Sequence, residues 1–339
     1  MQFDLYCLRW GRPTGGGIVV STIIRFQYIA TTNHGGLDES DSTMIYQKPN
    51  PRNRQKRRQD KKSKSIKRPK KIICPIFIVG APRSGTNIFY RRLARHPDLA
   101  WIAHITKKVP SSLWLTRIVM LFRDDHRPTE ANNVWQKFTG NDHESLGRDD
   151  VTAAADKYLH TVVQNNLRIF NKPRFVNKCP GNSVRIEFLK EIFPDAIFIH
   201  IIRDGRAVGY SIIRSRLEHS GAYWSVKPPG WRDLLKLPLV DACALQWKMT
   251  VKAILQSAKK LPPEQYLAIK YEDLVARPVE LFKQVAEKCD LIWQEDMLQT
   301  ITTGMDNRNF KWQTEMQDAD KNRLNLLLCD FLKQLGYEV

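Results

Sequence analysis

The stretch Ile73-Cys74-Pro75-Ile76-Phe77-Ile78-Val79-Gly80-Ala81-Pro82-Arg83-Ser84-Gly85-Thr86-Asn87 decides how this chain folds. Its first seven residues form a continuous apolar run of strand length, the pattern of a strand buried on both faces of a parallel sheet. Gly80 and Gly85 then stand at the G-x-x-x-x-G spacing of a phosphate-binding loop. Ile88 to Arg95 reads as a helix, closed by His96-Pro97. Strand, loop and helix in that order aim successive N–H groups and the positive end of the helix at one point, where a phosphate can be cradled. A turn with incidental glycines is the competing reading of these residues alone.

A nucleotide triphosphatase would continue after the second glycine with Lys and then Ser or Thr, for the β- and γ-phosphates and for Mg²⁺. Here those positions are Thr86 and Asn87, while Arg83 places a cation inside the loop. The expected ligand therefore presents a single phosphate to the loop, and no metal is expected.

Working outward, Phe193 to Ser215 repeats the pattern: a turn at Pro194-Asp195, a buried strand from Ala196 to Ile202, and a helix from Arg206 onward. Tyr266 to Lys270 is a third strand, followed by a helix from about Pro278 to Cys289. Strands alternating with helices predict an α/β fold, P-loop NTPase-like, with a mostly parallel central sheet flanked by helices. Helical insertions are expected at roughly 105–170 and 214–260. The second carries Tyr223, Trp224, Pro228, Pro229, Gly230 and Trp231, which reads either as a cap on the core or as a lid or acceptor-binding loop.

The 339 residues are 42% apolar and 26% charged, ordinary for a globular protein, but the net charge is +19. Between Arg52 and Lys71 twelve Lys or Arg residues face one acid, Asp60, so +11 of that excess sits in one short segment. With Ile66 as its only aliphatic residue, that segment cannot bury a core, and residues 1–71 read as a basic N-terminal extension expected to be disordered. The folded domain is expected at 72–339. The extension reads as a solvated linker, as a contact for nucleic acid or an anionic surface, or as a nuclear-localisation-like signal. Met44 is a candidate start of translation. No run of eighteen apolar residues exists, since Arg25 interrupts Gly16 to Ala30, so no membrane-spanning helix is expected. Six scattered cysteines without a CxxC pair point away from metal and disulfide frameworks and toward a reducing, cytoplasmic compartment.

At Pro82-Arg83-Ser84-Gly85-Thr86-Asn87 the chain resembles the sulfotransferase family that uses 3′-phosphoadenosine 5′-phosphosulfate (PAPS), whose loop commonly reads PRSGTT. Asn87 departs from the usual Thr or Ser. Arg203 ending a strand, with Ser211 eight residues on, matches the family's 3′-phosphate motif, and eight residues return the serine to one helix face. Asn177-Lys178-Cys179-Pro180 resembles a stretch whose lysine lies near the transferring group. Tyr271-Glu272-Asp273-Leu274 resembles one whose tyrosine neighbours the nucleotide. Asn307-Arg308-Asn309-Phe310-Lys311-Trp312 resembles a basic-aromatic segment that closes over the cofactor. The matches span about residues 73–312 in the family's order.

The resemblance implies sulfuryl transfer from PAPS to an acceptor hydroxyl or amine of unread identity, without metal. It assigns the donor to Arg83, Ser84, Gly85, Thr86, Asn87, Arg203, Ser211, Tyr271, Arg308 and Lys311. Arg83 and Lys178 would stand at the developing charge, as in phosphoryl transfer, where positioning and charge stabilisation dominate. His104 is the expected general base, twenty-one residues after Arg83, where family members place a His or Glu; its unperturbed pKa suits the role. No Glu occurs between Ile72 and Phe122, so the local alternatives are Asp98, Asp124 and Asp125. His200, inside a strand, reads as a core residue, and Asp204 and Arg206 as helix-start residues. The rival readings are a P-loop kinase-like ATP-dependent transferase and a nucleic-acid-binding protein working through the basic extension.

Overall fold

Alternation along β1 (Ile76–Val79) sends Ile76 and Ile78 to one face of the sheet and Phe77 and Val79 to the other, and all four are buried. This computed structural model describes residues 71–104, 106–122, 127–139, 144–219, 225–304 and 306–339. The basic stretch through Lys70, Met44, Asp124, Asp125, Tyr223 and Trp224 lie outside the described residues.

Among the described residues five strands form the sheet: β1, β2 (Leu99–Ala100), β3 (Arg174–Lys178), β4 (Ile197–Ile202) and β5 (Tyr266–Lys270). Their order is β2-β3-β1-β4-β5, and every pairing among them is parallel. The expectation of a mostly parallel sheet thus sharpens to a wholly parallel one among the described strands. The chain leaves β1 with β3 on one side and β4 on the other, a topological switch point where the crevice beyond the strand ends binds ligands in open α/β sheets.

Helices cover both faces. Phe77 meets Trp135 edge-on at 5.6 Å and stacks on Phe198 at 5.7 Å, beneath α2 (Ala153–Phe170) and α3 (Ile186–Ile192). On the other face α1 (Thr86–Leu93) and α7 (Pro278–Lys288) meet where Phe89 stacks on Phe282 at 4.9 Å. A third cluster, around Trp247, joins α4 (Gly205–Glu218), α5 (Leu239–Ala258) and α8 (Asp318–Gln334). The short α6 (Tyr271–Ala276) follows β5 directly.

Two differences from the sequence reading have physical causes. The first helix runs from Thr86 to Leu93 rather than from Ile88 to Arg95, because Gly85, left-handed at φ +88°, caps it straight off the loop. β3, Arg-Phe-Val-Asn-Lys, carries too many polar residues to read as a buried strand, yet all five are buried. Arg174 is accommodated there because its guanidinium donates to the carbonyls of Cys289 (2.8 Å) and Cys74 (2.7 Å).

Candidate active site

The loop after β1 is shaped by close contacts. A Cβ on Gly85 would lie 2.5 Å from the Tyr271 ring, and one on Gly80 would lie 2.6 Å from the Ile201 carbonyl oxygen. Ser183 pins the loop's start: its Oγ accepts from the Gly80 N–H (3.0 Å) and donates to the Gly80 carbonyl (2.9 Å). Arg83 holds a left-handed backbone at φ +66°, a conformation that costs a non-glycine residue about 1–2 kcal/mol and is typical of ligand-binding loops. α1 begins without a side-chain cap and with no acidic residue in its first turn, which leaves its amino-terminal N–H groups and dipole available to an anion.

The carboxyl ends of β1, β3, β4 and β5 bring the remaining groups to this loop. A cavity of about 430 Å³ is lined by ten of the twelve residues singled out from the sequence: Arg83, Gly85, Thr86, Asn87, Lys178, Arg203, Ser211, Tyr271, Arg308 and Lys311. Arg83 Nε donates to Ser211 Oγ at 3.0 Å, joining the loop to α4. Arg203 stacks over the Tyr271 ring at 4.4 Å. Its guanidinium donates to Asn309 Oδ1 (2.7 Å), to the Arg83 carbonyl (3.1 Å) and to the Arg308 carbonyl (3.1 Å). Tyr271 OH donates to the Asp306 carbonyl at 3.1 Å, so the basic-aromatic segment is docked onto both residues. Burial lowers the Arg203 pKa from its ordinary value, opposed by Tyr271, Glu272 and Asp204; a guanidinium stays charged under such a shift.

Ser84 and His104 are the two that fall outside. Ser84 is fully buried with its Oγ unpartnered, so its side chain is not on the cavity wall and any contribution would come from its backbone. His104 is exposed and lines a neighbouring cavity of about 870 Å³ together with Arg91, Arg95, Trp101 and Arg127.

The residue that sequence reasoning missed is Glu130. Its carboxylate pairs with the Lys178 ammonium at the end of β3. Burial pushes the Lys178 pKa down, and the Glu130 charge and hydrogen bond work against that. Forty-eight residues separate the two, so only the fold reveals the pair. Glu130 lines the 430 Å³ cavity, the 870 Å³ cavity and a third, of about 530 Å³, that includes Lys107 and Lys108.

Other residues weighed in the sequence are placed plainly. His200 is fully buried in β4 with its pKa pushed down to about 3 by burial, and its Nδ1 meets Tyr266 OH at 2.7 Å. Asp204 caps α4 by accepting from the Arg206 N–H at 2.8 Å and also pairs with the Arg206 guanidinium. Asp98 lines none of the three cavities. Trp231 lines a separate small cavity of about 170 Å³ with Glu144 and Lys227.

A glycine loop at the switch point of a parallel sheet, facing an arginine–serine pair across a cationic cavity, defines the class as an α/β protein with a phosphate-loop-like site. The chain belongs to the sulfotransferase family, whose family profile matches residues 75–295. It is similar to a protein-tyrosine sulfotransferase of Drosophila melanogaster, 25% identical over 228 residues that cover 66% of this chain and 39% of that protein. Protein-tyrosine sulfotransferase A of Caenorhabditis elegans is 25% identical over 223 residues, 66% of this chain and 51% of that one. Nodulation protein NoeE of Sinorhizobium fredii is 24% identical over 301 residues, 80% of this chain and 67% of its own. The chain therefore spans about two-fifths to one half of the fly and worm proteins. Among solved structures, a sulfotransferase from Mycobacterium avium shares the fold, with a TM-score of 0.53 over 79% of this chain and 78% of its own at 16% identity. No helix among the described residues is long and apolar enough to cross a membrane.

Proposed function

We propose that this chain moves a sulfuryl group from PAPS to an acceptor hydroxyl. The observation that carries the proposal is the convergence of nine expected donor residues and Lys178, from the ends of four strands, the helix after β4 and the 306–311 segment, on one cavity. Six Lys or Arg residues line it against two acids, Glu130 and Glu218, a balance suited to a multiply charged nucleotide. Thr86 where a kinase loop has Lys, and Asn87 where it has Ser or Thr, argue against a kinase reading, which needs the lysine for the triphosphate and the second hydroxyl for Mg²⁺.

When bound, PAPS supplies an activated sulfuryl group on its 5′-phosphate and a separate 3′-phosphate as a handle. The loop N–H groups, Thr86 and Asn87 bind the 5′ side, and Arg83 presents its planar fork to the oxyanions there. Lys178 holds a point charge at the reacting end of the cavity, screened from water. Arg203 and Ser211 take the 3′-phosphate, with Arg308 and Lys311 over it and Tyr271 beneath the nucleotide. His104, the base expected from the sequence, stands on the wall of the second cavity.

That second cavity is read as the acceptor site. Arg91, Arg95 and Arg127 line it, with Glu130 as its one acid among the described residues, so it suits an acceptor carrying negative charge. The relatives named for protein tyrosine make an acidic tyrosine peptide the first acceptor to try. The test is incubation of the full chain with ³⁵S-labelled PAPS and a peptide bearing one tyrosine between glutamates. Label appearing on the tyrosine, and lost when it becomes phenylalanine, supports the reading; labelled donor untouched across peptide, carbohydrate and phenol acceptors overturns it. A cytoplasmic location is also proposed, supported by the five described cysteines, all free thiols.

A further inference from the structure

In-line transfer places the acceptor oxygen opposite the leaving oxygen on sulfur, so the group that removes the acceptor's proton must stand where the donor and acceptor cavities meet. Among the described residues two line both cavities, Asn87 and Glu130. Asn87 cannot take a proton at neutral pH. Glu130 can, and its side chain, 29% exposed, stands at the opening rather than in the core. His104 lines the acceptor cavity but not the donor cavity.

We infer that Glu130 is the general base of this site and that its pairing with Lys178 couples proton removal to charge stabilisation on the sulfuryl group. The inference rests on the sulfotransferase reading above. The hydroxyl proton passes to a Glu130 oxygen as the acceptor oxygen forms its bond to sulfur. The bond from sulfur to the 5′-phosphate oxygen breaks, and its electron pair stays on that phosphate. As Glu130 gains the proton it loses its charge, and the Lys178 ammonium is released from it to the oxyanions on its other side. Lys178 is 4% exposed on its side chain, so that charge acts in a poorly screened setting, where such interactions are strong.

The local arrangement holds Glu130 in place. The backbone just before it is tied to the strand region, with Thr129 N–H donating to the Ile102 carbonyl at 3.0 Å and Tyr90 OH donating to the Thr129 carbonyl at 3.3 Å. The Glu130 carboxylate pairs with Lys178 and interacts electrostatically with Tyr90 and Cys179. Among the described residues it shares cavity walls with Arg83 on the donor side, with Arg91, Arg95, His104 and Arg127 on the acceptor side, and with Lys107 and Lys108 in the third cavity.

The test compares Glu130→Gln, Glu130→Asp and His104→Ala in the full chain, with PAPS and the acidic tyrosine peptide. Adenosine 3′,5′-bisphosphate (PAP) must first raise the thermal midpoint of each variant, and calorimetry must show the peptide binding the PAP-loaded protein. A failure at that step falls on the donor or acceptor reading instead. With binding intact, Glu130→Gln should lose about 100-fold or more in kcat, the usual contribution of a general base. The acid limb of its kcat/KM profile should vanish, and Glu130→Asp should restore part of the rate. His104→Ala should act mainly on the peptide KM. If Glu130→Gln keeps kcat within about fivefold of the parent, or keeps the parent's acid limb, the carboxylate is not the base. A kcat collapse confined to His104→Ala overturns the inference equally.

Discussion

The donor cavity and the acceptor cavity share two residues and are built in opposite ways. The donor cavity stands on strand ends. β1 leads into its loop, β3 ends in Lys178, β4 leads into Arg203 and β5 into Tyr271. The loop is held by Ser183, Lys178 by Glu130, and Arg203 and Tyr271 by backbone carbonyls and their mutual stacking. The acceptor cavity is walled by α1 and by the irregular segments 101–104 and 127–130, linked by the isolated bridge between Ala103 and Pro128. A nucleotide is constant chemistry and suits a rigid frame; an acceptor varies, and segments outside the sheet can vary without disturbing it.

That contrast can be broken at four points, taken from the largest expected effect downward. Arg203→Ala removes three hydrogen bonds and the cation stacked on Tyr271, and should abolish the PAP-induced rise in midpoint, a loss of affinity of about 100-fold or more. An undiminished shift would place the 3′-phosphate elsewhere. Gly85→Ala forces a Cβ to 2.5 Å from the Tyr271 ring at φ +88° and should cost about 2 kcal/mol or more of stability, together with most PAP binding, read by thermal denaturation with and without PAP.

The third prediction concerns pH. The His200 value in the fold is near 3, below its ordinary 6.5, so the unfolded chain binds the extra proton first. The neutral ring's contribution is complete above pH 6.5 and is lost as pH falls toward 3, about 2 kcal/mol by pH 5. His200→Gln should flatten the fall of Tm between pH 7 and pH 5 and leave PAP binding alone, because His200 lines neither cavity. The smallest effect belongs to the acceptor wall. Arg95→Ala should raise the KM for the acidic peptide by about fivefold, as for a solvent-accessible charge contact, while the PAP shift stays put. A change in the PAP shift instead would erase the division between the two cavities.

The same division separates what the sequence made legible from what it hid. β1, β4 and β5 announce themselves as apolar runs, and the loop by its glycine spacing, because local pattern determines local structure there. Arg203 and Ser211 were readable through their resemblance to the family's 3′-phosphate motif, an Arg after a strand with a Ser eight residues on. β3 was hidden because its arginine and lysine look exposed in sequence; their partners, the Cys289 and Cys74 carbonyls and Glu130, come from distant segments. Glu130 was hidden for the same reason. Nothing at Thr129-Glu130-Ala131 marks it locally, and its meaning lies in Lys178, 48 residues on. Ser84 is the reverse case: it belongs to the motif, and the fold packs its side chain inside rather than on the wall.

In the proposed donor site, between the Gly80 loop and Arg203, a nucleotide is held through two separated phosphates without help from a metal. Thermal denaturation of the full chain with PAP in EDTA, beside ATP with Mg²⁺, tests it most directly. PAP should give a clear rise in Tm that needs no metal and is absent in Arg203→Ala. A rise with ATP and Mg²⁺ but none with PAP would contradict it.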